Sequence, residues 1–392
     1  MKPVSTGRLG RWVVAFALFG CSSPERGSSE ASGSNAASAA SVPSPRTATN
    51  AALSRPTAPL VLVAGGDVSF GRMRGQRLLR QPARDDFASL RYLLDPADLR
   101  FVNLECTISD RDGETQHPGN RLVFTAPPPA APALARAGID IVSLANNHAW
   151  DYGRAALFET FTRLEEAGVR YVGAGRTAAQ AYGPVVVSTP RGRVAFVAVT
   201  DIWNQAFEPH PRKEIVADAV LERLVDSVEK AKRQGDWVVV SHHGGYEYNP
   251  RPHQGTRRLL QAAVDAGADA VIGHHPHVTQ RVSLYRGRPI FYSLGNLMMR
   301  MKTGEPWTQY GFLARLRLAD HRQPEAELCL YRIDGLDPVP LGRDPQREVH
   351  ERMFRFRYEQ LLHTGSLVEP DQAVRLGAFD ADGCAPVIAR EP

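Results

Sequence analysis

A chain of 392 residues, 43% of them hydrophobic, is long enough for one large α/β domain or a domain with an appendage. Its formal net charge of +5 falls to about +2 once Lys2, Arg8 and Arg11 are set aside with the N-terminal segment they belong to. No dense Lys/Arg run remains, so composition gives nucleic-acid binding no support.

The N-terminus reads as an export signal over residues 1–20. Three basic residues precede the apolar run 12–19, which is too short to span a bilayer. Leu18-Phe-Gly-Cys21 then resembles a bacterial lipoprotein cleavage and lipidation site, with Cys21 as the acylated residue. That resemblance implies an exported lipoprotein held on a membrane by its lipid anchor. Ser22 after the cysteine implies the periplasmic face of the outer membrane in a Gram-negative cell, and otherwise the outer face of the cell membrane. Residues 21–58 form a linker made almost entirely of Ser, Ala, Pro, Gly, Thr and Asn, without an aromatic. Such a composition cannot bury enough apolar surface to order itself, and a flexible chain of this length reaches roughly 35 Å.

From residue 59 onward, apolar strand-like runs break off repeatedly into Asp, Glu, Asn and His. Residues 60–64 lead to Gly-Gly-Asp67, and 99–102 to Asn103-Leu-Glu105. A helical stretch at 87–94 separates those two strands, and 127–137 carries helical spacing before the strand 139–144. That strand leads to Asn146-Asn147-His148 and Asp151. An amphipathic helix at 155–166 precedes a strand at 169–172, and 184–188 with 193–199 form a hairpin. The helix 217–232 precedes the strand 237–240, which runs into His242-His243-Gly-Gly-Tyr-Glu247-Tyr248. The helix 256–266 precedes 269–272, which runs into His274-His275-Pro-His277. Segments 279–285, 288–294, 311–318 and 326–333 read as antiparallel strands, 345–363 as containing a helix, and the last thirty residues as loop. Parallel βα units followed by consecutive strands fit two packed sheets with helices outside. The domain expected is 59–335, with a helical and loop extension over 336–392. Cys106 reads as a buried small hydrophobe, and spacing alone does not establish a Cys329–Cys384 disulfide.

Ligands bind where the strands of an α/β sheet end, so five ends loaded with such residues point to one oxygen/nitrogen site. Asp67 offers a hard carboxylate suited to Mg, Mn, Fe or Zn, or else a turn aspartate. Glu105 reads as a metal ligand or a structural salt bridge. His243, His275 and His277 supply imidazoles, the last two separated by one residue and so pointing alike if extended. His242 and His274 are expected to point away from that face. Asp151 either orients His148 or caps the following helix. Glu247 reads as a general base or ligand, Tyr248 as a group that stacks on or hydrogen-bonds substrate, and Asn296 as a polar group reaching the site or a backbone-bonding one.

The motifs Gly66-Asp67-Val, Asn103-Leu-Glu105, Ala145-Asn-Asn-His-Ala-Trp-Asp-Tyr-Gly153, His243-x-Gly-x-Glu247-Tyr248, Gly273-His-His-Pro-His-Val278 and Tyr292-Ser-Leu-Gly-Asn296 occur in that order. Together they resemble the bacterial capsule-synthesis CapA family, known for poly-γ-glutamate capsule production and related in fold to calcineurin-like metallophosphoesterases. The resemblance implies a four-layer αββα sandwich. It implies metal ligands at Asp67, Glu105, Asn147, His243, His275 and His277, with His148 assisting the leaving group, and Asp151 and Glu247 beside it. It implies a divalent cation as cofactor, and an anionic capsule polymer or a phosphoester as substrate, handled within a polymer synthesis or export complex. Two departures stand out. Ser69 occupies the position of a phosphoesterase histidine ligand, so either a single ion persists or Glu105 and Glu247 compensate. Gly244 replaces the family's tryptophan, which is expected to loosen packing over the site. The competing reading is a non-catalytic factor that grips the polymer with the same loops.

Overall fold

The computed structural model describes residues 58–204, 215–301, 303–363 and 372–389. The signal segment, Cys21 and the linker up to residue 57 lie outside them. Along the chain, β1 (Leu60–Val68) is followed by α1 (Arg72–Arg80), the short α2 (Arg91–Leu94) and β2 (Leu99–Leu104). Two brief strands, β3 (Thr107–Ile108) and β4 (Thr125–Ala126), pair with each other across a long loop. Then come α3 (Ala130–Arg136), β5 (Ile141–Ser143), α4 (Gly153–Glu166), β6 (Arg170–Val172) and α5 (Ala178–Tyr182). The second half holds β7 (Val185–Thr189), β8 (Gly192–Thr200), α6 (Leu221–Gln234), β9 (Trp237–His243), α7 (Gln254–Ala266) and β10 (Ala270–His274). It closes with β11 (Val282–Tyr285) and β12 (Arg288–Phe291). The chain then returns through β13 (Asn296–Met298), β14 (Tyr310–Leu318), β15 (Glu325–Asp334) and β16 (Asp337–Pro340), and ends in α8 (Arg347–His363), β17 (Gln372–Leu376) and β18 (Cys384–Ala389).

Two sheet halves face each other. One runs β6-β5-β2-β1-β14-β15 and the other β11-β12-β10-β9-β8-β7, and the β18–β17 pair joins them into one hydrogen-bonded path. Alternation along β8 fixes the layers. Val194, Phe196 and Ala198 belong to the same apolar core as Phe101 of β2, and the Phe101 and Phe196 rings stack with centroids 5.6 Å apart. The residues between them, Ala195, Val197 and Val199, pack instead with Leu224 and Val228 of α6 and Leu260 of α7. Side chains two apart share a face of a strand, so a strand apolar on both faces is covered on both. Helices α6 and α7 therefore cover the second sheet outside, and the four-layer αββα arrangement expected from the sequence is present.

One expectation changes here. The last thirty residues are not loop alone: β17 and β18 complete the junction between the halves, and Cys329 and Cys384 form a disulfide across β15 and β18. Helix α1, with the sequence Arg-Met-Arg-Gly-Gln-Arg-Leu-Leu-Arg, was not legible from periodicity because its arginines obscure the apolar stripe.

Candidate functional site

The parallel strands β1, β2, β5, β9 and β10 all end at one edge of the sandwich, and register aligns their ends. In the first sheet Asp67 stands opposite both Asn103 and Asn296; in the second, His243 stands opposite Thr200 and His274. These two rows meet. Within the first row, Gly66 lets β1 lie close to the turn before β13, because a Cβ there would lie 1.8 Å from the Gly295 carbonyl oxygen. With that space free, the Asp67 N–H donates to the same oxygen at 3.0 Å.

Asp67 is fully buried at the centre. Its Oδ1 accepts from Asn103 Nδ2 at 2.8 Å and lies 3.4 Å from His274 Nδ1. Its Oδ2 accepts from the His275 backbone N–H at 3.3 Å and lies 3.4 Å from His277 Nδ1. Glu105, also fully buried, has Oε1 at 3.7 Å from His277 Nε2 and 3.9 Å from His148 Nε2. Asn103 also reaches His243 Nδ1 at 3.2 Å, and His243 Nε2 sits 2.9 Å from Asn147 Oδ1. Asn296 Oδ1 is 3.0 Å from His277 Nδ1, while its amide donates to the carbonyls of His277 and Thr308, so it joins the cluster and bonds backbone at once.

His148 is held from one side by Asp151, whose Oδ2 lies 2.8 Å from Nδ1 and also accepts from the Phe124 N–H at 2.9 Å. Of the two roles open to Asp151, orienting His148 is the one present; no side chain caps α4. Tyr248 packs near His277 with ring centroids 6.4 Å apart, and Glu247 is exposed at the rim.

Three local expectations are corrected. His275 and His277 share the site through a turn and not an extended segment, at φ of +96° and +57°. His274 faces inward, beside Phe101 and against Asp67, because it shares the inner face of β10 with Ala270 and Ile272. His242 does leave that face, and its Nε2 lies 3.4 Å from Asp201 Oδ2. The third concerns Gly244, which leaves no gap: a Cβ there would meet Asp201 Oδ1 at 2.0 Å. Ser69 turns from the cluster, its Oγ accepting from the Gly71 N–H at 3.2 Å. Asn103 and Asn146, seen in the sequence only as strand-end residues without a role, and Asp201 and Asn204, not singled out there, also belong to the site. Asn146 bonds Asn103 and the Leu104 carbonyl, and Asn204 bridges Asn147 and the His148 ring. Their strand-end positions were the available signal for Asn103 and Asn146.

The electrostatics are those of a cluster balanced by protons. Burial opposes the charge of Asp67, yet His274 and His277 hold its carboxyl well below the usual range. Burial, then the Asp67 charge, pushes Glu105 well above it. Burial works against a charged His277, but Glu105 and Asp67 raise it to about 9. His243 is held neutral by burial and then by His275, and His275 itself is lowered to about 4 by burial and then by His277. Ligand atoms of Asp67, Glu105 and His243 lie within 4.8 Å of one another, a spacing that could hold a metal ion. The donor set fits that use. Both Glu105 oxygens and His275 Nδ1 are buried without a hydrogen-bond partner, an arrangement costly unless something charged completes it.

Comparison with known proteins follows the same span. Residues 61–301 match the model of the family described as "Bacterial capsule synthesis protein PGA_cap". The chain is 30% identical over 287 residues to the "Capsule biosynthesis protein CapA" of Bacillus anthracis, covering 72% of this chain and 69% of that protein. It is 31% identical over 209 residues to the "PGA biosynthesis protein CapA" of Bacillus subtilis, covering 53% of this chain and about half, 54%, of the relative. Among solved structures, a hypothetical protein from Thermus thermophilus superposes with a TM-score of 0.40 at 19% identity, over 71% of this chain and 96% of that one. Haemophilus influenzae NAD nucleotidase does so with 0.39 at 9%, over 78% of this chain and 68% of that one. The family match covers most of the folded chain and includes every strand end that builds the cluster, so this chain belongs to the bacterial capsule synthesis family.

Proposed function

We propose that this protein is an exported, lipid-anchored accessory factor of capsule or extracellular-polymer synthesis. In this reading its strand-end cluster holds one divalent cation and hydrolyses a phosphoester or polymer linkage. The observation that carries the metal reading is Glu105: a buried carboxylate with neither oxygen hydrogen-bonded, beside Asp67 and His243. Asp67, Glu105 and His243 would hold the ion, with Asn147, His275 and His277 around it. Such an ion polarises a phosphoryl or carbonyl oxygen and lowers the pKa of a bound water.

The chain's own groups would do the rest. His148, oriented by the Asp151 carboxylate on Nδ1, presents Nε2 beside Glu105 and would protonate the departing oxygen or nitrogen. Asp151 would stabilise the imidazolium that this role requires. Tyr248 and Glu247, at the rim, would meet the substrate on entry. Capsule involvement comes from family membership and from the names of the relatives. Anchoring rests on residues 2–21; among the described residues no helix is long and apolar enough to cross a membrane. The residue 21–58 linker would stand the folded part off that surface.

A second reading, a polymer-binding assembly factor without catalysis, is favoured by the arginine-lined cavity beside Tyr248. The two are separated with purified protein loaded with Mn²⁺ or Zn²⁺, assayed on a generic phosphodiester and on poly-γ-glutamate. Hydrolysis that falls about 10²-fold or more in His148→Ala supports catalysis. Polymer binding without turnover, unchanged in that variant, supports the second reading.

A further inference from the structure

Beyond the cluster, α1 and the loops facing it enclose a cavity of about 420 Å³ that reaches from Ser69 and Tyr248 outward. Among the described residues four arginines line it (Arg72, Arg74, Arg121 and Arg300) and no carboxylate does. A second hollow of about 750 Å³ shares Arg72 and Met73 and continues along α1 past Arg77 and Arg80, but Glu114 also lines it and Arg77 is paired with Asp86 and Asp337, so the free positive charge is concentrated in the first. Arg72, Arg74, Arg77 and Arg80 come from α1 itself, and the fold brings Arg121 and Arg300 beside the first two.

The arginines are set in different ways. Arg74 is buried to 3% exposure; its Nε donates to the Met298 carbonyl and Nη1 to Asp86, while Nη2 has no partner. Arg72 sits at φ +55°, a backbone conformation that is costly for such a side chain. Its guanidinium lies 4.2 Å over the Phe124 ring, which in turn lies 4.2 Å from the His148 ring. Arg72 thus connects the cavity wall to the group proposed to act on the leaving atom. Arg121 and Arg300 are exposed at the mouth. Between the charges the lining is apolar and adaptable: Met73, Met298, Met299 and Leu122, of which Met73 and Leu122 remain 42% and 62% exposed. Guanidinium forks match carboxylates bidentately, and a methionine floor suits the methylenes between them.

We propose that this cavity is the subsite that grips the acidic chain, a carboxylate polymer on apolar spacers, with Arg72, Arg74, Arg121 and Arg300 as its specificity-determining residues. It rests on the polymer reading above, and not on the presence of metal.

The test is fluorescence anisotropy of the full chain with a labelled γ-linked glutamate oligomer at fixed salt, before and after EDTA treatment. Arg121→Gln/Arg300→Gln, both exposed changes, should weaken binding about tenfold or more while the thermal midpoint and metal content stay at wild-type values. Affinity within twofold of wild type in that variant overturns the proposal. So does a comparable loss caused by EDTA alone, which would put the grip at the cluster. Inorganic polyphosphate of equal charge bound as tightly as the glutamate oligomer would overturn the carboxylate class.

Discussion

Glu105 is the residue on which the site's chemistry turns. Buried, with neither oxygen hydrogen-bonded and beside Asp67, its neutral form is favoured by burial and then by the Asp67 charge. Glu105→Gln preserves that neutral shape, so without metal the variant should match wild-type stability to within about 1 kcal/mol. Wild-type protein should gain about 2.7 kcal/mol at Mn²⁺ a hundredfold above its Kd, read as a rise in thermal midpoint, and Glu105→Gln should gain none. An equal gain in both would show that the ion binds elsewhere. Asp151 acts one step back, through the His148 ring. If the protein is a hydrolase, Asp151→Asn should lower kcat about 10²-fold or more with little change in KM, since it disturbs the orientation of the His148 acid and not the ligand's contacts. A KM effect alone would remove Asp151 from that role.

At the scale of elements, the site depends on how closely strands approach. Gly66→Ala forces a methyl group into the Gly295 carbonyl, so β1 and the turn before β13 must separate. The expected cost is about 3 kcal/mol or more, read as a lowered urea midpoint. The disulfide works at the junction of the sheet halves, closing a separation of 55 residues. Cys384→Ser should cost about 2–4 kcal/mol in the same measurement, and reduced wild type should behave alike. Helix α8 is docked through Asp344, whose carboxylate accepts from the Gln346 N–H at 2.9 Å, Arg332 Nε at 2.8 Å and His350 Nδ1 at 2.7 Å. Burial raises its pKa, but these bonds outweigh it and lower the group overall. Its contribution is therefore complete above the unfolded value of about 3.9 and is lost as pH falls through the lower folded value. The stability gap between wild type and Asp344→Asn should accordingly be full at pH 7 and close as the solution is acidified.

For the whole molecule, the strand-end pattern carried the architecture, because a strand buried on both faces must be apolar until it meets the site. Residues 237–240 and 270–272 announced themselves that way, and the polar residues after them fell where the sandwich ends. What stayed hidden depends on approach in three dimensions. The inward turn of His274 follows from which face of β10 meets Phe101. Asp201 takes the space at Gly244 because β8 ends beside β9, and the arginines of α1 form a surface only when loops 40 and more residues away close over them. Strands β17 and β18 were illegible because their partners, β15 and β11, come from opposite halves of the sandwich.

The central claim is that the buried Asp67, Glu105 and His243 cluster holds a divalent cation. Elemental analysis of protein purified without chelator, beside Asp67→Ala and Glu105→Gln, addresses it directly. Wild type should carry close to one transition-metal ion per chain, and either variant none. Metal-free wild type, still empty after reconstitution with Mn²⁺, Zn²⁺ and Fe²⁺, would contradict it.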